Sequence, residues 1–90
     1  MSARFAPGDA VRVRAADPPG HIRTPVYARG RAGVVERVVG DFPNPEELAY
    51  GRDGLPERTL YRVRFTQQEL WGEGGDTVEI ELYDHWLEAP

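Results

Sequence analysis

The sequence predicts an all-β domain: a small, strongly bent antiparallel barrel of about five short strands. Three observations carry this expectation. Several short stretches alternate apolar and polar residues, as in Val11-Arg12-Val13 and Val78-Glu79-Ile80-Glu81-Leu82. A period of two is the mark of a strand with one face buried. Ten glycines and eight prolines punctuate the chain, supplying turns and opposing long helices. Ninety residues with 40% apolar content can fill one small core, so residues 1–90 read as a single domain.

The elements follow in order. Pro7-Gly-Asp9 forms a turn that leads into a first strand, Ala10–Arg14. The second strand covers Ala32–Val39, and Gly40 is expected to end it. Its apolar residues come in pairs, which a bulge or sharp bend near Gly33 would accommodate. Asp41 to Arg58 reads as a long excursion broken by Pro43, Pro45, Gly51, Gly54 and Pro56. Within it, Pro45–Tyr50 is expected to make one helical turn, with Asn44 as N-cap and Pro45 at the first helical position. Leu60–Phe65 returns to alternation, with Tyr61, Val63 and Phe65 inward and Leu60, Arg62 and Arg64 outward. Gln67–Trp71 reads as a turn or short helix. Thr77–Leu82 is the cleanest strand, and Asp84–Glu88 forms a short last one. Five short strands with glycine-rich connections fit an SH3-like barrel best, with the partly helical excursion lying between strands. The expected core is Val11, Val13, Val35, Val63, Phe65, Val78, Ile80 and Leu82.

Composition excludes several functions. The chain has no cysteine, hence no disulfide framework and no thiolate metal site. It has no apolar run long enough to span a membrane and no signal peptide at its start, so the cytoplasm is the expected compartment. All eleven basic residues are arginine. Residues 1–37 carry net +4 and residues 38–90 net −8. Such asymmetry marks either a bipolar docking surface or strands that interleave in space and cancel it.

The candidate functional residues are few. His21 and His85, the two histidines, lie far apart, and no carboxylate stands at ligand spacing beside His21, so no metal site is expected on this chain. No Ser or Thr shows a sequence mark of activation. Glu79 and Glu81 alternate opposite a Val-Ile-Leu face, the ordinary pattern of solvent-side acids. The chain alone does not read as an enzyme. Arg23 is different: it sits in a loop held by Pro18, Pro19 and Pro25, each of which fixes φ at about −65°. A guanidinium on a pre-ordered loop suits a fixed planar or anionic target, although an ordinary solvated arginine is the simpler reading. The 18–31 loop and the turn holding Trp71 form the expected partner surface, with His21, Tyr27, Arg29, Arg31 and Trp71 as interface residues. Trp71 could equally fill the core. Gly30-Arg-Ala-Gly-Val-Val after the first strand is similar to the KOW motif of RNA- and protein-binding barrels. The negative net charge, and the lack of aromatics among the basic residues, argue against nucleic acid.

Several strings together carry a family resemblance. They are Phe5-Ala-Pro-Gly-Asp-Ala-Val-Arg-Val-Arg14, Pro19-Gly-His-Ile-Arg-Thr-Pro25, Leu60-Tyr-Arg-Val-Arg-Phe65, Glu69-Leu-Trp-Gly72 and Leu87-Glu-Ala89. In this order the chain resembles the C-terminal domain of a nitrile hydratase β subunit, from about Phe5 onward. The usual β subunit also carries a helical N-terminal half, absent here. The resemblance is therefore closest to nitrile hydratases with a split β subunit, such as the toyocamycin type. It implies a partner α subunit whose Cys-x-x-Cys-Ser-Cys loop holds non-corrin cobalt or non-haem iron, with two of those cysteines oxidised. It also implies a separate chain equivalent to the helical half, and a nitrile substrate hydrated to an amide. Two β-subunit arginines contact the oxidised cysteine oxygens in this family, and Arg23 matches the one in the Gly-His-Ile-Arg motif. The expected function is thus a small nitrile hydratase subunit, not catalytic alone. The alternatives are a thiocyanate hydrolase-like subunit, a KOW-type RNA-binding barrel, and a maturation chaperone for the α subunit.

Overall fold

The computed structural model describes residues 4–15 and 25–90. Its strands are β1 (Ala10–Val13), β2 (Ala32–Phe42), β3 (Arg58–Thr66), β4 (Thr77–Tyr83) and β5 (Leu87–Glu88). Two short helices, α1 (Pro45–Leu48) and α2 (Gln67–Trp71), and two 3-10 turns, Val26–Ala28 and Asp84–Trp86, lie between them. Every pairing is antiparallel, and the hydrogen-bonded order is β4-β3-β2-β1-β5.

That order forces curvature. β4 and β5 stand at opposite edges of the sheet, yet only Asp84–Trp86 join them. In a flat sheet the outer strands would lie roughly 19 Å apart, four spacings of about 4.8 Å. A 3-10 turn rises only about 2 Å per residue, so three residues span far less than that. The sheet must roll until its two edges nearly meet, and the result is the small SH3-like barrel expected from the alternation.

The inward residues fill that barrel. Val11, Val13, Val35, Tyr61, Val63, Phe65, Leu70, Leu82, Trp86 and Leu87 form one buried cluster. Each such side chain stabilises the fold by about 1.5–3 kcal/mol relative to exposure. Val78 and Ile80 pack against this cluster but are only partly buried. They point inward as expected, but β4 is an edge strand paired on one side alone. The barrel covers its second half, at Leu82, better than its first.

Both short helices are capped, the first where the sequence places its cap. Asn44 Oδ1 accepts from Glu46 N at 3.0 Å, and Pro45 opens α1. Thr66 Oγ1 accepts from Glu69 N at 3.0 Å, and Gly72, at φ 79°, closes α2 in the left-handed region that glycine tolerates best. β2 departs from expectation twice. It runs through Gly40 to Phe42, because the register shifts between Val38 and Gly40 absorb the glycine within the strand. The other irregularity falls between Val35 and Arg37, not at Gly33. Gly33 pairs regularly with Val11, and its role is close approach. A Cβ there would stand 2.8 Å from Val63 Cγ1 and 2.9 Å from Phe65 Cε1. The charged halves of the chain interleave: Arg4 pairs with Asp84 at 3.0 Å, and Arg64 lies 3.9 Å from Glu36.

Candidate functional site

The expected site centres on the loop that carries Arg23. Arg23 and His21 lie outside the described residues. The two roots of that loop are described, and both are firmly held. Val13 N donates to Arg31 O and Gly30 N to Val13 O, each at 2.9 Å, so the chain before and after the loop is stitched together. Arg12 Nη1 adds a bond to Gly30 O at 2.8 Å. After the loop, the 3-10 turn closes through Ala28 N to Pro25 O at 3.1 Å, and Arg31 N returns to Ala28 O at 3.1 Å.

This exit turn sits between two tryptophans. Tyr27 stacks at a tilt on Trp71, with ring centroids 5.8 Å apart, and both rings are about half exposed. Trp71 therefore belongs to the surface, where it lines an open cleft of about 390 Å³ with Gln67, Glu73 and Gly74. Ala28, next along the turn, is fully buried. Arg29 then places its guanidinium 5.1 Å from the centroid of Trp86. Of the expected interface residues, the structure brings Tyr27 and Trp71 together, sends Arg29 to Trp86 and leaves Arg31 exposed on the turn.

Sequence reading missed a supporting group. Trp86 is 3% exposed, and its Nε1 donates to Glu46 Oε2 at 2.8 Å. The other carboxylate oxygen, Oε1, lies 2.9 Å from His85 Nε2. Arg14, at the entry of the loop, also touches this group. Its N donates to Trp86 O at 3.0 Å, its Nη1 to His85 O at 3.1 Å, and its guanidinium lies 5.8 Å from the indole centroid. A cation over an indole face contributes roughly 0.5–1 kcal/mol where exposed and more where desolvated. No local signal announces this cluster, because Glu46 is 39 and 40 residues from its partners.

Among the described residues, no three His, Asp or Glu side chains gather as a metal site. The titratable groups displaced from their ordinary values lie elsewhere. The Tyr61 hydroxyl is pushed up by burial, while it accepts from Phe5 N and Arg4 N and donates to Asp84. Glu36 is held above the usual carboxylate range by its hydrogen bond with Glu79, then by burial and by the Glu79 charge. The Arg62 and Arg64 guanidiniums offset this in part.

Fold and loop roots together define a small SH3-like barrel domain in which Arg14, Tyr27 and Arg29, flanking the loop, pack against aromatic side chains. Comparison with known proteins places it further. Residues 1–89 match the family described as nitrile hydratase beta subunit, C-terminal, and the chain belongs to that family. It is 43% identical over 83 residues to the cobalt-containing nitrile hydratase subunit beta of Pseudonocardia thermophila, covering 92% of this chain and 35% of that one. It is 39% identical over 87 residues to the nitrile hydratase subunit beta of Rhodococcus erythropolis, covering 93% and 41%. The chain thus spans well under half the length of these relatives. Among solved structures, the recombinant apo-enzyme of thiocyanate hydrolase from Thiobacillus thioparus superposes with a TM-score of 0.91. The identity there is 31%, over 99% of this chain and 78% of that one.

Proposed function

We propose that this barrel serves in a nitrile-hydrating enzyme, where Arg23 completes an active site built mainly by an α subunit. The observation that carries the reading is the family match over residues 1–89, which takes in the Pro19-Gly-His-Ile-Arg23 string. The relatives' remaining length, with its helical half, is assigned to a separate chain of the same complex, and the complex to the cytoplasm. Among the described residues no helix is long and apolar enough to cross a membrane.

The chemistry of the donor set supports this division of labour. With no cysteine, this chain has no thiolate to offer a cobalt or iron ion. In this reading the metal belongs to the Cys-x-x-Cys-Ser-Cys loop of the α subunit, and when bound it activates the nitrile or the attacking water. Arg23 donates hydrogen bonds to the oxygens of the oxidised cysteines there. A sulfenate or sulfinate is a buried anion, and a planar fork of N–H groups holds it in one orientation at a contribution of roughly 1.5–3 kcal/mol. His21, Tyr27, Arg29, Arg31 and Trp71 are assigned to the rim where the subunits meet.

Reconstitution of the complex with Arg23→Ala tests this. Assembly and metal content should be normal, and nitrile hydration should fall on the order of 10²–10³-fold. Arg23→Lys keeps the charge but loses the fork, so it should also be impaired. The exposed Arg31→Ala is the control. Full turnover by a correctly assembled Arg23→Ala enzyme would reduce this chain to a scaffold.

One observation favours a second reading. The thiocyanate hydrolase chain is matched over 78% of its length, against 35% and 41% for the nitrile hydratase subunits above. A native complex that turns over thiocyanate and leaves nitriles untouched would select it.

A further inference from the structure

We infer that the open edge of β4 is a docking site for an extended strand of a partner chain, one that alternates apolar residues with arginine or lysine. The inference goes beyond the reading of Arg23 and stands apart from it. β4 ends the sheet order, and among the described residues β3 is the one strand it pairs with. The direction of its backbone groups follows from one bond. Gln67 N donates to Asp76 O at 3.0 Å, one step beyond the Thr66↔Thr77 pair of the ladder. Antiparallel partners exchange hydrogen bonds at every second residue, so Phe65↔Val78, Val63↔Ile80 and Tyr61↔Leu82 are the bonded pairs. The N–H and C=O groups of Thr77, Glu79 and Glu81 therefore point away from β3, along the open edge. All three residues are exposed, and among the described residues no backbone bond outside the ladder reaches them.

Chemistry along the edge selects the occupant. Glu79 and Glu81 lie on the outer face, while Val78 and Ile80 turn inward and remain only partly buried. β3 shows what this strand accepts on its other side. Arg64 stands opposite Glu79 and Arg62 opposite Glu81, with Phe65 and Val63 opposite Val78 and Ile80. Arg62 Nη2 donates to Glu81 Oε2 at 3.0 Å. A second strand of the same kind would cover the two apolar side chains and set cations beside the carboxylates. The outer face can take up that charge, since Arg62 and Arg64 only partly offset the crowding of Glu36 on Glu79. A second copy of this chain fits badly. Antiparallel pairing of β4 with its own copy, centred on Ile80, sets Glu79 against Glu81, and centring on either glutamate sets it against itself. Like charges directly opposite oppose pairing, and so guard the edge against self-association.

The test titrates the full chain with a short blocked peptide, Thr-Val-Arg-Val-Arg-Val-Thr, and with its counterpart carrying glutamate for arginine. The arginine peptide should slow amide exchange at Thr77, Glu79 and Glu81 about 10-fold and leave β1 unchanged. It should bind about 10-fold more tightly than the glutamate peptide at low salt, and the gap should narrow as salt rises. Glu79→Gln combined with Glu81→Gln should erase that preference. Glu79→Pro removes an N–H that faces the edge rather than the ladder, so the barrel should keep its fold and lose the peptide. The glutamine pair carries the test if the proline variant unfolds. Equal binding of the two peptides by the parent overturns the inference. So do amides at Thr77, Glu79 and Glu81 that are already protected without peptide, since the chain would then cover its own edge. A parent that dimerises through β4 overturns it too. Binding of neither peptide overturns it as well, and leaves the two glutamates as guards of the edge alone.

Discussion

Glu36 sits on the outer face of the sheet, among Arg62, Arg64 and Glu79, and it shows how one side chain ties stability to pH. Arg64↔Glu79 and Arg62↔Glu81 are cross-strand pairs, so opposite charges face each other there. The bulge after Val35 brings Glu36 against Glu79, where a hydrogen bond between two carboxyl groups needs a proton. The folded-state pKa of Glu36 is raised, so its contribution is fully present below the ordinary Glu value and is lost as pH rises through the raised value. Stability should therefore decline as pH rises out of the acid carboxylate range. Glu36→Gln should flatten that decline and raise the urea midpoint at about pH 7 relative to the parent. The effect is small, because the pair is exposed to solvent screening. Identical pH profiles for the two proteins would show that the carboxyl groups do not share a proton.

At the scale of elements, β2 and β3 pair from Val34↔Arg64 to Phe42↔Arg58, and Gly33 is a point of close approach to β3. An added methyl at Gly33 would meet Val63, Phe65 and the Arg64 carbonyl oxygen at 2.8, 2.9 and 3.0 Å. Gly33→Ala should cost about 1–3 kcal/mol by overpacking. Gly75→Ala, with nothing within 4 Å, should stay within about 0.5 kcal/mol. Urea unfolding of both measures this, and equal midpoints would mean that β2 shifts freely. The elements also divide what sequence could reveal from what it could not. Asn44-Pro45 is a local signal, and that cap formed as read, whereas the sequence takes Gln67–Trp71 no further than a turn or short helix and leaves the Thr66 cap of α2 unread. The alternation of Tyr61, Val63 and Phe65 also held, because period and burial are the same physical fact in a one-sided strand. The bulge positions were not legible, since they depend on how β2 meets β3. Nor was the grip of Glu46 on His85 and Trp86, which exists only once the excursion folds back. Arg23 itself was singled out by its prolines and its motif, and it lies outside the described residues.

For the molecule as a whole, stability follows how far each strand is wrapped by the barrel. Leu82 is 1% exposed, whereas Ile80, two residues earlier on the same face, is only partly buried. Leu82→Ala should cost about 2–5 kcal/mol and Ile80→Ala clearly less. Denaturant titration ranks them, and the reverse order would mean that β4 sits in another register. The closure between the sheet's two edges has a consequence in time as well as in space. β1 pairs with β5 through Arg12↔Glu88 and Val13↔Leu87, and Arg14 leans on Trp86. Contacts so distant along the chain are entropically slow to form, and folds dominated by them take milliseconds to seconds. On a ribosome, residues 84–88 are made seventy or more residues after Arg14. The loop roots at Arg14 and Arg29 are therefore without their indole partner until nearly the whole barrel has been synthesised, and the contacts that join them to Trp86 are among the last of the fold to form.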